Sequence, residues 1–248
     1  MGAEISISGK VLRTWQWLRA RWGVPMLAVV LLGGAFGFLE IAEEVGEAET
    51  RKVDETILLA MRQEGHADRP VGPEGLAEVA RDITALGGAT LLTLICLVAW
   101  GMTLFAGKRR LAWVGVGAVV VAMLVMKLLK LGYDRPRPDL VEHGTRVVSA
   151  SFPSGHSMMS AVVYLTLGIL VARTQPKRRV QAFVLAVSVG VTVAVGLSRV
   201  YLGVHWPTDV LAGWMLGGVW ALAVWILAGV LEDRCRAEKK TTPGRGPS

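Results

Sequence analysis

The stretch Leu111-Ala-Trp-Val-Gly-Val-Gly-Ala-Val-Val-Val-Ala-Met-Leu-Val-Met-Lys-Leu-Leu-Lys130, followed at once by Leu-Gly-Tyr-Asp-Arg-Pro-Arg-Pro138, decides the class of fold. Twenty residues of helix rise about 30 Å, the thickness of a bilayer's hydrocarbon core. Comparable apolar runs lie at 24–43, 87–106, 157–174, 180–198 and 209–231. The 248 residues are 52% hydrophobic and 19% charged, too apolar for an ordinary soluble domain. The expectation is an all-α, six-transmembrane-helix protein forming a single domain over 1–248.

Charge placement orients the spans. Lys10, Arg13, Arg19 and Arg21 precede the first, Lys108–Arg110 and Arg173, Lys177, Arg178 and Arg179 fall in two short loops, and Arg234, Arg236, Lys239 and Lys240 follow the last. With six spans these four groups share one side, and the positive-inside bias makes that side cytoplasmic. Both termini are then cytoplasmic, and the loops 44–86, 131–156 and 199–208 face outward. Loop 44–86 carries ten acids against five bases, so the overall +7 is chiefly a topology signal. Cations dispersed over short loops, without stacking aromatics on one surface, argue against nucleic-acid binding. Cys96 falls inside a span and Cys235 in the inner tail, so no disulfide framework is expected. The first apolar run reads as an uncleaved helix of a multi-pass inner-membrane protein.

Within 44–86, Leu76, Val79, Ala80 and Ile83 recur at helical spacing and predict an amphipathic helix at the outer interface. Packing beside the spans is its expected role, with a lid as the alternative; Val53, Ile57 and Met61 supply a second candidate face. Gly33 with Gly37, and Gly213 with Gly217, permit close helix approach, within one chain or in a homodimer. Residues 241–248 read as a disordered tail.

The chemistry-bearing residues gather in the outward loops. Lys130 to Pro138 fans Lys130, Arg135 and Arg137 from a backbone held extended by two X-Pro steps. Snorkelling is the bland reading of such cations; it fits Arg135 as well as function does, and Lys130 and Arg137 less well. Phe152-Pro-Ser-Gly-His-Ser157 precedes the fourth span, where Ser154 and Gly155 offer N–H groups at a helix start, although Ser154 is equally a helix cap. Ser198-Arg199-Val-Tyr-Leu-Gly-Val-His205-Trp-Pro-Thr-Asp209 joins the last two spans. His205 and Asp209 are four apart with Pro207 suited to a first helical turn, so the carboxylate can reach one imidazole nitrogen and fix the tautomer. A helix-start acid favoured by the macrodipole is the competing reading for Asp209 alone.

Together, Lys130, Arg137 and Arg199 supply cations for the equatorial oxygens of a phosphoryl group, a task Mg²⁺ performs elsewhere. His205 is placed to attack phosphorus, and His156 to protonate the leaving group and then activate water.

At these positions the chain resembles the type 2 phosphatidic acid phosphatase superfamily, through Lys130-x6-Arg137-Pro138, Pro153-Ser-Gly-His156 and Ser198-Arg199-x5-His205-x3-Asp209. The resemblance implies a six-helix membrane fold with an outer-face site, His205 as nucleophile, His156 as general acid and base, and no metal or cofactor. Vanadium haloperoxidases share the signature but are soluble; vanadate is expected to inhibit here as a phosphate mimic. The implied substrates are lipid phosphates or diphosphates in the membrane, with undecaprenyl diphosphate favoured over phosphatidylglycerol phosphate and phosphatidic acid. Two alternatives are a phosphotransferase passing the group to another lipid or sugar, and a non-catalytic lipid-binding or transport protein.

Overall fold

The computed structural model describes residues 27–139 and 150–241, with side chains to residue 230. The basic residues before 27, those after 230, Cys235 and the tail 242–248 lie outside what is described, as does the middle of the loop expected at 131–156. Helix α1 covers 27–46. There follow α2 (Arg51–Ala60), a hairpin of β1 (Arg62–Gln63) and β2 (His66–Pro70), α3 (Leu76–Ala85), α4 (Ala89–Phe105) and α5 (Arg109–Tyr133). The fourth apolar run forms α6 (Gly155–Ser160), one π-helical turn (Ala161–Leu165) and α7 (Thr166–Thr174). The chain closes with α8 (Arg178–Tyr201) and α9 (Pro207–Thr241).

Each apolar run has become a helix, the fourth interrupted by the π-helical turn, and there are two further departures from an all-α expectation of six simple spans. The short antiparallel hairpin β1–β2 interrupts the polar segment, turning at Gly65, whose φ of 75° suits glycine. Helix α9 also runs about ten residues past the apolar stretch ending at 231, through a segment rich in the helix formers Glu, Arg, Ala and Lys.

Among the described residues, α5, the α6–α7 run, α8 and the first 24 residues of α9 are long and apolar enough to cross a membrane. The pair α3–α4, bent by 40°, makes a fifth candidate. The α6–α7 run is the central element, with 50% of its apolar window buried against 11% in α5. Large apolar side chains elsewhere point outward, Phe105 at 96% and Phe183 at 69% exposure, as lipid-facing side chains on apolar spans of bilayer length do. The chain is a multi-pass membrane protein.

Small residues set the closest contacts. A Cβ on Gly213 would lie 2.9 Å from the Ser154 carbonyl oxygen, and one on Gly217 would lie 2.6 Å from both the Ala161 Cβ and the Met158 carbonyl oxygen, so this pair seats α9 against α6 within the chain. On α1, Gly34 and Gly37 face Val219 and Met215 of α9, whereas Gly33 meets nothing within 4 Å among the described residues.

The polar segment packs beside the spans. Helix α3 occupies the predicted positions and lies along α8. On α2 the buried residues are Asp54 and Leu58, while Val53 and Ile57 turn outward.

Candidate active site

Three turns at one end of the bundle bring the signature residues together. Helix α5 ends at Asp134, in the left-handed region at φ 38°, and Pro136 and Pro138 then hold the chain extended. Helix α8 ends in a Schellman turn: the Gly203 N–H donates to the Val200 carbonyl at 2.9 Å and the Val204 N–H to that of Arg199 at 3.1 Å. Gly203, at φ 71°, makes this reversal possible and delivers His205 beside Arg199. Helix α9 starts with Pro207 in its first turn, and Asp209 reaches back to accept the Trp206 N–H at 2.9 Å, half of a capping box.

Asp209 therefore makes both contacts weighed for it from sequence. Besides closing the helix start, its Oδ2 lies 3.3 Å from His205 Nδ1 and accepts the Ser151 hydroxyl, while its Oδ1 accepts Arg135 Nη1 at 2.6 Å. Both Asp209 and His205 are buried. The other imidazole nitrogen, Nε2, faces Arg137 Nη1 at 3.2 Å, and the same Nη1 donates to the Val204 carbonyl at 2.6 Å. Nδ1–H directed at Asp209 and a lone pair on Nε2 directed at the guanidinium are the tautomer and orientation a nucleophile needs. Burial lowers the His205 pKa to about 4, against the opposing pull of Asp209 and with Arg137 and Arg199 adding to the drop. Arg137 is itself lowered, by burial first, with Asp209 opposing.

Lys130 donates to the Ala150 carbonyl at 2.5 Å, and Arg199 Nη1 to Thr84 Oγ1 of α3 at 3.2 Å. Among the described residues, Arg199 Nε is buried without a hydrogen-bond partner. Arg199, His205, Arg137 and Lys130 all lie close enough to His156 to act on it electrostatically. A Cβ on Gly155 would lie 2.9 Å from Met126 Sδ and 3.9 Å from Lys130 Cε, so this glycine lets α6 start against the end of α5 that carries Lys130.

Ser154 is the N-cap of α6, its Oγ accepting from Ser157 N at 3.4 Å. Its own N–H, expected from sequence to serve an anion, donates instead to the Asp209 carbonyl at 3.0 Å, because α9 passes directly over the start of α6. The Gly155 N–H in the first turn remains the backbone donor of the expected pair.

Two participants escaped sequence reasoning. Arg135, which read equally well as a snorkelling cation, is the ion-pair partner of Asp209, and Ser151 bonds the same carboxylate. Neither stands at a spacing from Asp209 that a local pattern could reveal.

An apolar cleft of about 630 Å³ extends from this site. Gly87, Gly155 and His156 line one end, Leu92, Met126 and Val163 the middle, and Trp100, Trp113 and Ala228 the far end.

A bundle of membrane helices that gathers two histidines, a buried aspartate and three cations at one end belongs to a defined class. Residues 110–231 match the family model of the PAP2 superfamily, and the chain belongs to that family. It is 39% identical over 149 residues to phosphatidylglycerophosphatase B of Bacillus subtilis strain 168, covering 57% of this chain and 70% of that one. Lipid A 1-phosphatase of Rhizobium etli is 28% identical over 207 residues, covering 73% and 83%. The crystal structure of a transmembrane PAP2 type phosphatidylglycerolphosphate phosphatase from Bacillus subtilis superposes with a TM-score of 0.72 at 29% identity, covering 81% of this chain and 96% of that one.

Proposed function

We propose that this chain hydrolyses a lipid phosphate or diphosphate through a phosphohistidine formed on His205, without a metal. The observation that carries the lipid reading is the apolar cleft, which ends at His156 among the cations. A phosphoryl group held by Lys130, Arg137 and Arg199 would leave its hydrocarbon chain lying along that cleft. The buried, unpartnered Nε of Arg199 is a donor that a phosphoryl oxygen would satisfy.

His205 Nε2 attacks phosphorus as the bond to the leaving oxygen breaks, and a proton from His156 passes to that oxygen. Arg137, now on Nε2, moves its hydrogen bond to the phosphoryl oxygens. Asp209 balances the charge that develops on the imidazole. Water, deprotonated by neutral His156, then attacks phosphorus; the N–P bond breaks, and phosphate leaves with His205 restored.

Phosphatidylglycerol phosphate and undecaprenyl diphosphate are the first substrates to test. The relative sharing 39% identity and the superposed structure are named for the former chemistry, and a Sulfolobus acidocaldarius relative, 31% identical over 121 residues, is named undecaprenyl-diphosphatase. The distribution of basic loops supports six spans, with α1 as the first, both termini cytoplasmic and the site outward in the cell membrane. Purified protein in detergent, assayed for phosphate release from a panel of lipid phosphates and diphosphates in EDTA, tests the reading. Release abolished by EDTA, or absent from every substrate, contradicts it.

A further inference from the structure

Asp54 is a fully buried carboxylate on α2, a helix outside all three signature motifs. Its Oδ1 accepts the Thr208 N–H at 2.9 Å, and its Oδ2 accepts both the Thr208 hydroxyl and Arg135 Nη2 at 2.7 Å. Thr50, the N-cap residue of α2, takes Nη2 at 3.1 Å. The other arm of that guanidinium, Nη1, reaches Thr208 Oγ1 at 2.9 Å and Asp209 Oδ1 at 2.6 Å. Arg135 is thus forked between two carboxylates, each with no exposed side-chain surface, and its own side chain is 10% exposed.

We infer that Asp54 is a positioning residue for the nucleophile: through Arg135 and Thr208 it fixes the carboxylate of Asp209, and through that the tautomer and orientation of His205. This rests on the reading of His205 as the attacking group. Asp54, Arg135 and Asp209 together carry one net negative charge, which remains available to the imidazolium-like His205 formed during attack. Without Asp54, Arg135 would neutralise Asp209 alone, and the developing charge on His205 would lose its counter-charge in a buried site. Arg135 holds one acid with each terminal nitrogen of its planar guanidinium, a fork that lysine lacks. None of Asp54's hydrogen-bond partners is a cation assigned to phosphate, so the effect falls on the chemical step and not on substrate binding. The polar segment between α1 and α4 would therefore be part of the catalytic scaffold and not a passive insertion.

The test is a double-mutant cycle on full-length protein in detergent, comparing wild type, Asp54→Asn, Asp209→Asn and the double variant. Asp54→Asn should lower kcat on the order of tenfold to a hundredfold with KM within about twofold of wild type. In the Asp209→Asn background it should cost little more, because the relay is already broken. Equal losses in both backgrounds would mean a general scaffold role and overturn the inference, as would an active wild type matched by Asp54→Asn. Should Asp54→Asn fail to give a monodisperse protein, Arg135→Lys goes through the same cycle with the same two outcomes. A wild type inert on every lipid phosphate would remove the His205 reading itself, and the role of Asp54 with it.

Discussion

The carboxylate of Asp209 lies 3.3 Å from Nδ1 of His205 across the first turn of α9, with both groups buried. His205 sits in the bend just before α9 and Asp209 in its first turn, folded back toward it, and the Ser151 hydroxyl and Arg135 also donate to the carboxylate. The imidazole is held from one side by an anion and from the other by the Arg137 guanidinium.

Asp209→Asn preserves the shape of the side chain but presents an amide where His205 requires an acceptor for Nδ1–H. By analogy with other imidazole–carboxylate pairs, kcat should fall about 10⁴-fold. Initial phosphate-release rates check this, and a variant within about tenfold of wild type would contradict the orienting role.

His205 is predicted to stay neutral well into acid. Its folded-state pKa of about 4 lies below the ordinary 6.5, so between these values the unfolded chain binds a proton that the folded chain does not. Stability contributed by neutral His205 is therefore complete above about pH 6.5 and declines as pH falls toward 4. The acid limb of kcat/KM assigned to His205 should likewise fall near pH 4, measured with a substrate whose own ionisation has been titrated. A limb at 6.5 that moves in Asp209→Asn would contradict the burial argument.

Arg137 Nη1 donates to the Val204 carbonyl and lies 3.2 Å from Nε2 of His205. Lysine keeps the charge but loses the planar fork. Arg137→Lys should lower kcat/KM by about 10²–10³, the cost of removing one preorganised donor to a transition-state oxygen. Vanadate inhibition should weaken in parallel, and unchanged vanadate binding would argue that Arg137 does not meet the phosphoryl group.

Gly217 leaves no room for a side chain between α9 and α6. Gly217→Val should destabilise the protein by at least about 1–3 kcal/mol through overpacking against Ala161 and the Met158 carbonyl. Gly33→Val, at a position with nothing within 4 Å among the described residues, should leave the monomer's melting temperature in detergent nearly unchanged. Thermal unfolding of the two variants side by side distinguishes them.

The helices were legible because apolar runs of bilayer length admit few other readings, and the site residues because they stand at fixed spacings within short loops. What escaped sequence reasoning is the long-range wiring. Arg135 meets Asp54 and Asp209, far away in the chain, so no local period announces either contact. One signal was present: Thr50, Asp54 and Leu58 recur at i, i+4 and i+8, a buried helical stripe with an acid at its centre. The outward-facing Val53 and Ile57 drew attention to the opposite face. The π-helical turn at Ala161–Leu165 had no signal at all, since Ala-Val-Val-Tyr-Leu is equally at home in an α-helix.

The central claim is a covalent phosphohistidine at residue 205. Purified protein quenched within milliseconds of mixing with a lipid phosphate labelled in the phosphoryl group, in EDTA, should carry label that is stable to base and lost in acid. His205→Ala should carry none and release no phosphate, whereas His156→Ala, lacking both the acid for the leaving oxygen and the base for water, should gain label more slowly than wild type and, once labelled, lose it more slowly. Label or steady turnover persisting in His205→Ala would contradict the account.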